Sequence, residues 1–544
     1  MFTTLLKNKL VFPFVILVIL ILATFLRLYK LDTNPPSLSW DEAAVGYNAY
    51  SIANFGKDEW GKTFPLYFKS FEDDKHPVHI YFTALSVKLL GLNEFSTRLP
   101  AAIFGVLNVL MIYFLAKELF AKLPGLAGQI IGIFTAFLLA ISPYSLQFSR
   151  FNHELQFALF FFVCGLYFFL VGLRQKNILL SLSFLFFGID LFTYHSAKVV
   201  LPLVLICLFI IYFNELKKVK TFIGIGFLIF SFFIFLMIKN PALLGLARIN
   251  QTSFPKELVS KTFTYQATKN ELLGRLEITA SQYILHLSPE YLFLQGDKNA
   301  RHSTHLIGEF YVIEALFLFV GLLRIMIERS KYQILLLCWA LIAPLPSSMV
   351  MEAPHAARAL FMLGSWSLIS GLGAFTIINL PKRMLQKISL GLVFLGALII
   401  LFGIYIKGYY NTYPKQYAID WQYGMKQIVN FVSDNPRFRL VYMTDARSQP
   451  YIFFVYYLKT PTPTFIRGRD INTSALNHSY NLVAYFDKYF FGGWDPLMSS
   501  ANPDVLYILT PSQYNGLRDR LAFEVLKKID YPNELDAFYL VSAK

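Results

Sequence analysis

Long apolar runs recur along the first three quarters of the chain, and few of them carry a charge near the centre. A helix needs roughly 20 apolar residues to cross a bilayer. Because the runs are continuous and do not alternate with polar residues, they predict membrane-spanning helices and exclude a transmembrane barrel. The first run exceeds the apolar core of a signal peptide, so we expect a retained helix. The predicted spans are 11–29, 97–119, 125–143, 152–173, 178–194, 196–213, 221–238, 310–327, 332–350, 357–379 and 385–407.

Basic residues are concentrated in alternate loops between these spans. They lie at Lys117 and Lys122, Arg174 and Lys176, Lys217 to Lys220, Arg324 to Lys331, and Lys382 to Lys387. Basic loops stay in the cytoplasm, so the alternation predicts a cytoplasmic N-terminus and, with an odd number of spans, an outer C-terminus. The short apolar segment 78–92 would reverse this parity if it crossed. We therefore predict that it lies in the outer interface.

Three longer, more polar segments fall on the outer side in this topology: the loops 30–96 and 239–309 and the tail 408–544. The tail is long enough to fold as a domain of its own. We predict two domains, a membrane domain of residues 1–407 and an extracytoplasmic α/β domain of residues 408–544. The predicted fold class is an α-helical multispanning membrane protein with this outer α/β domain.

The tail carries both kinds of secondary-structure signal. Short apolar runs at 439–444 and 505–509 predict buried strands. Amphipathic stretches at 418–432 and 512–526 predict helices.

The composition is that of an integral membrane protein, with 56% hydrophobic and 15% charged residues and a mean hydropathy of +0.49. The net charge of +15 also suits a nucleic-acid-binding protein. No nucleic-acid-binding motif accompanies it, and cytoplasmic loops that face anionic lipid account for it, so we expect no nucleic-acid partner. The three cysteines lie in apolar runs and predict neither disulfides nor a metal site. The expected location is the plasma membrane.

Acidic residues mark two places on the outer face. Asp41 and Glu42 directly follow the first span. They are either an exposed pair that complements a helix dipole, or a site in which Asp41 is a general base and Glu42 orients it or holds a divalent metal ion. Glu154 opens the span 152–173 from the outside. It either reaches water at the rim or has a function, because acids are costly there.

Cations and histidines also lie on the outer face in this topology: Lys75, His76, Lys198, Arg301, His302, His355 and Arg358. Solvated turns and side chains that reach water would explain each one singly. As a set they predict an anion site, because arginine makes paired hydrogen bonds to phosphate. Arg301 and Arg358 are the best candidates. Arg358 lies at the start of the predicted span 357–379. The helix dipole does not account for a cation there, because it favours acids at the start of a helix.

The order of these features resembles a known group of enzymes. A first span is followed by Asp41-Glu42, by His76-Pro77 before an apolar helix, and by Arg-Leu-Pro-Ala-Ala-Ile-Phe-Gly at 98–105. This looks like the GT-C membrane glycosyltransferases of the protein O-mannosyltransferase and aminoarabinose-transferase type, and bacterial glycosyltransferase family 39 in particular. The resemblance is good over roughly the first 210 residues and looser to the end of the bundle.

The resemblance implies an inverting transferase that uses a polyprenyl-phosphate sugar from the outer leaflet. Asp41 matches the first-loop acid of the family. Glu154 falls where a second acid is common, although the preceding Phe-Asn-His at 151–153 departs from the usual pattern. His76 falls where the aminoarabinose enzymes have a lysine. The cations would hold the lipid phosphate, where charge stabilisation matters more than a strong general acid.

Three other functions fit parts of the pattern. A lipid-linked oligosaccharide ligase would use a diphosphate donor and need more converging cations. A transporter or flippase would need polar or broken helices at mid-membrane, whereas these spans are mostly Phe, Leu and Ile at their centres. A non-catalytic assembly protein would act through the tail. We predict a glycosyltransferase whose partners are a polyprenyl-phosphate sugar donor, membrane lipid, and an acceptor glycan, lipid or protein.

Overall fold

The computed structural model of the protein describes residues 11–71, 73–245, 251–472, 481–492 and 502–544. Residues 1–10, which the topology prediction puts in the cytoplasm, lie outside the described residues. The chain forms two compact units. The membrane unit comprises Met1–Tyr29 and Ala101–Gly408, and the loop-and-tail unit comprises Lys30–Pro100 and Tyr409–Lys544. The first long loop is therefore grouped with the tail. The domain boundary between residues 407 and 408 stays a prediction.

Helices build the membrane unit, because a backbone in lipid must satisfy its own hydrogen bonds. Its longer helices are Val11–Leu28, the part of Glu94–Leu119 beyond Pro100, Ala127–Ile141, Leu155–Gln175, Leu179–Leu191, Ala197–Ile211, Lys220–Lys239, Glu271–Leu285, Glu314–Glu328, Lys331–Ile342, Phe361–Asn379 and the part of Met384–Asn411 up to Gly408. Its shorter ones are Pro143–Ser149, Phe213–Leu216, Lys256–Ser260, Phe263–Thr268 and Leu345–Ser348.

Six helices in the described ranges are long and apolar enough to cross a membrane, or up to seven if a pair bent by 57° is one span. The six are Val11–Leu28, Glu94–Leu119, Leu155–Gln175, Phe213–Lys239, Phe361–Asn379 and Met384–Gln416, and the bent pair is Ala127–Ile141 with Pro143–Ser149. Every predicted span contains helical residues, which confirms a helical membrane architecture. The count of eleven spans is not confirmed, because several of these helices are shorter than a full crossing requires.

Close packing explains the last residue of the motif at 98–105. A Cβ on Gly105 would collide with Oγ of Ser149 and lie 2.8 Å from Nε of Arg27. Arg27 is fully buried and donates to Oγ of Ser145 at 2.8 Å and to the carbonyl of Ala140 at 3.1 Å. Glycine is therefore needed where the helix after the first loop meets this buried arginine.

The first long loop, residues 30–96, contains two helices that pack on each other, Trp40–Phe55 and Pro77–Leu90. Two short strands lie between these helices in the sequence, β1 (Phe68–Ser70) and β2 (Asp73–Lys75). They form an antiparallel pair. The helix Pro77–Leu90 has 14 residues, which confirms a helix too short to cross. Its place in the outer interface stays a prediction.

The tail contributes a mixed sheet, of which seven strands lie in the part of the chain that the structure describes. They are β3 (Leu440–Thr444), β4 (Arg469–Ile471), β5 (Val483–Phe486), β6 (Tyr489–Gly492), β7 (Val505–Leu509), β8 (Phe523–Asp530) and β9 (Asp536–Ala543). Their order is β4-β5-β6-β3-β7-β9-β8, with β3 parallel to β6 and β7. The helices of the tail are Tyr413–Gln416, Met425–Asp434, Pro450–Tyr457, Thr462–Gly468 and Pro511–Asn515.

Part of the tail follows the predicted pattern. The strands predicted at 439–444 and 505–509 are confirmed as β3 and β7. The prediction of one helix over residues 512–526 is wrong. The observed helix, Pro511–Asn515, ends at Asn515, and β8 begins at Phe523. Strand β8 lies at the edge of the sheet, and the charged residues that natural edge strands carry resemble the polar face of a helix.

One buried polar group lies where the first loop packs on the tail within the loop-and-tail unit. Oε1 of Glu59 accepts from Asn48 at 2.9 Å, and Oε2 accepts from the hydroxyl of Tyr451 at 3.1 Å. Burial raises the pKa of Glu59 to about 7. Apolar residues of loop and tail, including Tyr47 and Phe465, share one core around it. The first loop is therefore held by both packing and hydrogen bonds.

Candidate functional site

Asp41 lies in the first turn of the helix Trp40–Phe55, and its side chain is 33% exposed. Its Oδ1 accepts a hydrogen bond from Nζ of Lys75 at 2.7 Å. Lys75 ends strand β2, so this ion pair joins the two halves of the first loop. A carboxylate that stays accessible and is held in one orientation by a cation can take a proton from an incoming group.

Glu42, next to it in sequence, has different surroundings. Its carboxylate accepts from Nε of Arg98 at 2.9 Å and from Nη2 at 3.2 Å, and neither side chain is exposed. It also accepts the backbone N–H of Ser39 at 3.2 Å, which completes a capping box at the helix start. These contacts fix the chain beside Asp41. The catalytic role predicted for Glu42 stays a prediction.

Arg98, the first residue of the motif at 98–105, binds the loop before this helix. Besides Glu42, its guanidinium donates to the carbonyls of Leu31 at 3.1 Å, Pro35 at 2.9 Å and Ser37. In the sequence, Arg98 was notable only as the first residue of this motif. Its contacts show that it holds the chain between the first span and Asp41.

His76 immediately precedes the helix Pro77–Leu90 and is 2% exposed. It occupies the N-cap position without a side-chain cap bond. The ring is therefore packed at the helix start and largely closed to solvent. Its predicted role at a phosphate stays a prediction, as does that of Lys75.

In the membrane unit, Glu154 immediately precedes the helix Leu155–Gln175. Its Oε2 lies 2.7 Å from Nδ1 of His153, and the two side chains are 11% and 25% exposed. The carboxylate of Glu154 is therefore partly shielded from solvent and paired with the imidazole of His153. The sequence prediction for Glu154 did not include this pair.

Lys198 lies in the first turn of the helix Ala197–Ile211. Its Nζ lies 3.3 Å from Nδ1 of His195 and donates to the carbonyl of Leu243. Oγ of Ser196 donates to the carbonyl of Arg358 at 2.9 Å. The turn that carries Lys198 therefore contacts the segment that carries Arg358.

The structure corrects the helix-dipole argument for Arg358. The helix that it was expected to open begins at Phe361. The guanidinium of Arg358 donates to the carbonyl of Met351 at 2.6 Å and lies 3.3 Å from the carboxylate of Glu352. A nearby acid therefore accounts for a cation at this point, and phosphate binding by Arg358 stays a prediction.

His302 and His355 meet at a carboxylate. Oδ2 of Asp297 lies 3.1 Å from Nδ1 of His302 and 3.8 Å from Nδ1 of His355. The two imidazole rings are 4.7 Å apart between centroids. Burial lowers the pKa of His302, and burial together with His302 lowers the pKa of His355 well below its ordinary value. The three side chains therefore form one shielded cluster.

Arg301 is adjacent to this cluster. Its carbonyl accepts from Nε2 of Gln147 at 2.7 Å, which links the loop to the short helix Pro143–Ser149. Phe148 of that helix lies 5.5 Å from the ring of His302, between centroids. The segment of Arg301 is therefore anchored to this helix at two neighbouring residues.

Ring contacts extend this arrangement to Glu154 and Lys198. Between ring centroids, Phe148 lies 5.5 Å from Phe151, Phe151 lies 5.9 Å from His153, and His153 lies 5.9 Å from Tyr194. Tyr194 directly precedes His195, the neighbour of Lys198. A continuous layer of loops thus contains every predicted site residue of the membrane unit: Glu154, Lys198, Arg301, His302, His355 and Arg358.

Two buried acids of the membrane unit, Asp297 and Asp190, were not among the predicted site residues. Asp297 contacts both histidines. Asp190 is fully buried in the last turn of the helix Leu179–Leu191, and neither carboxylate oxygen has a hydrogen-bond partner among the described residues. Acids near the end of an apolar run are costly and often functional. The position of Asp190 in the sequence was therefore a signal that could have marked it as a candidate.

Two sequence comparisons identify related proteins. The profile of the dolichyl-phosphate-mannose-protein mannosyltransferase family matches residues 74–238. YkcB of Bacillus subtilis (strain 168), provisionally named a mannosyltransferase, is 27% identical over 186 residues. That match covers 33% of this chain and 24% of YkcB. The chain therefore matches about a quarter of the length of this relative.

Two solved structures share the architecture. ArnT from Cupriavidus metallidurans, bound to undecaprenyl phosphate, superposes with a TM-score of 0.53 at 13% identity over 96% of this chain and 97% of ArnT. The oligosaccharyltransferase of Archaeoglobus fulgidus, tethered with an acceptor peptide, gives 0.53 at 16% identity over 83% of this chain and 63% of that one. At these identities the likeness shows the fold alone. With the sequence matches, it confirms that this chain resembles the GT-C membrane glycosyltransferases.

Proposed function

We propose that this protein is a membrane glycosyltransferase that moves a sugar from a polyprenyl-phosphate donor to an acceptor on the outer face of the membrane. The acceptor is a glycolipid, a glycan or a protein. The observation that carries the proposal is the continuous layer of loops in the membrane unit. It gathers arginines, a lysine and an acid on a fold shared with ArnT, whose structure holds undecaprenyl phosphate.

A monosaccharide donor is favoured over a lipid-linked oligosaccharide. The likeness to ArnT spans 97% of that chain, whereas the likeness to the oligosaccharyltransferase spans 63% of it. The family profile is also that of a transferase named for a lipid-phosphate mannose donor. An oligosaccharide ligase with the same fold is the second candidate, because the two TM-scores are equal.

In the proposed reaction, Asp41 takes the proton of the acceptor hydroxyl or amine as its oxygen or nitrogen bonds to the anomeric carbon. The bond from that carbon to the phosphate oxygen breaks on the opposite face, so the configuration inverts. Nζ of Lys75 donates to the Asp41 carboxylate at 2.7 Å and orients it. Glu154 supports the acceptor, and the polyprenyl phosphate leaves as an anion that cations stabilise.

A direct assay tests this function. The full-length protein is reconstituted in liposomes with a polyprenyl-phosphate sugar, and the released polyprenyl phosphate is measured. Mass spectrometry of envelope glycans and lipids, with the gene present and absent, then identifies the acceptor. Release of a polyprenyl diphosphate would favour the ligase, and unchanged glycans and lipids would contradict transfer.

We expect Arg358 to bind the donor phosphate. Arg358→Ala should lower the apparent donor affinity by about 10- to 100-fold, because a hydrogen bond to a charged group contributes about 1.5–3 kcal/mol. Arg358→Lys should weaken it less, since lysine keeps the charge and loses the paired geometry. Donor saturation in liposomes measures both variants.

A matched control separates phosphate binding from the local ion pair. Glu352→Gln removes the acidic partner of Arg358, and the Glu352 side chain is 74% exposed. This variant should retain the donor affinity. If Glu352→Gln is as defective as Arg358→Ala, the arginine acts through its pair with Glu352. If neither variant changes donor use, the phosphate site lies at Lys75, His76 or Lys198.

The proposed orientation has its own test. A cysteine at Ser512 in the tail should react with a membrane-impermeant maleimide on intact cells, and one at Lys218 should react only after lysis. Both positions are exposed in the structure, so access to the reagent depends on the side of the membrane. The reverse labelling pattern would overturn the outer location of the proposed site.

A further inference from the structure

We propose that Asp297, His302 and His355 form a binding site for a transition-metal dication of the Zn²⁺ type. They come from two segments of the membrane unit that are more than fifty residues apart in the chain. One ligand atom from each residue lies within 4.8 Å of the other two. The proposal concerns metal binding alone and does not depend on the proposed transferase activity.

The distances suit a metal with short bonds. Zn²⁺ binds nitrogen and oxygen at about 2.0–2.2 Å, so two ligand atoms of a tetrahedral site lie about 3.3 Å apart. Oδ2 of Asp297 is 3.1 Å from Nδ1 of His302 and 3.8 Å from Nδ1 of His355. Small rotations of the two imidazoles would place all three atoms around one ion.

The carboxylate is held by bonds outside the set of ligands. Oδ1 of Asp297 accepts the backbone N–H of Asn299 at 2.8 Å, and Oδ2 accepts that of Ala356 at 2.6 Å. Such contacts fix the orientation of a ligand and are typical of metal sites. These two hydrogen bonds do not use all the lone pairs of the Asp297 carboxylate, so its oxygens can also bind a metal ion.

The ligand side chains are shielded from solvent. The side chain of His355 is 14% exposed and that of Asp297 is 4% exposed. His302 is 8% exposed, and the ring of Phe148 lies 5.5 Å from it, between centroids. The site is therefore shielded from solvent.

The donor atoms select the kind of ion. Two imidazole nitrogens and one carboxylate oxygen suit Zn²⁺ and its neighbours, whereas Mg²⁺ and Ca²⁺ prefer oxygen alone. Three protein ligands leave a fourth position for water or another group. The bound ion would fasten the segment of Arg301 to the segment of Arg358, because each arginine lies within three residues of a ligand histidine.

The test uses the full-length protein, purified in detergent through a tag without histidine. After chelator treatment and dialysis, bound metal is measured as a function of free Zn²⁺. We expect about one ion per chain at saturation, and a loss of affinity of at least about tenfold in His302→Gln and in His355→Gln. His305→Gln, a histidine of the same segment outside the ligand set, should bind as the unaltered protein does.

A second readout keeps the test decisive where a variant fails to fold. Co²⁺ bound to the unaltered protein should give the visible absorption of a tetrahedral ion, and added Zn²⁺ should remove it. Zn²⁺ should also raise the melting temperature of the unaltered protein and of His305→Gln. Absence of tetrahedral Co²⁺ absorption, or equal Zn²⁺ affinity in the His302 and His355 variants, would overturn the site.

Discussion

Asp41→Asn is expected to lower the rate of sugar transfer by about 10² to 10⁴-fold, because an amide cannot take a proton from the acceptor. The substitution keeps the size of the side chain and one oxygen that can accept from Lys75. The fold should therefore survive. Transfer from a polyprenyl-phosphate sugar, with the protein reconstituted in liposomes, measures the rate.

The control is an acid of the same loop with no assigned role. Asp32 is exposed, so Asp32→Asn changes the charge of the loop equally and should leave transfer unchanged. Asp41→Glu should restore part of the rate, since it returns a carboxylate in a shifted position. A well-folded Asp41→Asn protein with nearly normal transfer would remove Asp41 from the mechanism.

Local signals in the sequence were sufficient for many elements of the fold. Apolar runs predict helices in the membrane unit, and the runs at β3 and β7 predict strands. Strand β7 is buried on both faces, which gives a continuous apolar stretch. The grouping of the first loop with the tail depends on contacts such as Tyr451 to Glu59, which are 392 positions apart. No local pattern encodes a contact of that separation.

The candidate site shows the same limit. Topology predicts that the outer loops share one face, and this stays a prediction. The contribution of Asp297 could not be predicted, because its partner His355 lies in a distant segment. The helix-dipole prediction for Arg358 was wrong, because it required Arg358 to lie at the first turn of a helix. Helix boundaries are the elements that sequence patterns predict least reliably.

Breaking the buried pair of Glu42 and Arg98 is expected to lower the free energy of unfolding by about 3–5 kcal/mol, the usual effect of leaving one buried charge without its partner. Both side chains are fully buried. Arg98→Met leaves the Glu42 carboxylate uncompensated and removes the bonds to three backbone carbonyls. Glu42→Gln leaves the guanidinium without a counter-charge. Denaturant unfolding in mild detergent measures both variants.

The double variant Glu42→Gln with Arg98→Met tests whether the loss comes from an unpaired charge. It should cost less than the sum of the two single changes, because neither charge then remains buried alone. The exposed pair of Arg275 and Glu271 is the control, and Arg275→Met should leave stability almost unchanged. Strict additivity would show that the two residues act separately. Coupling would mean that Arg98 and Glu42 together fix the loop that presents Asp41, so that the motif at 98–105 serves the proposed site through the fold.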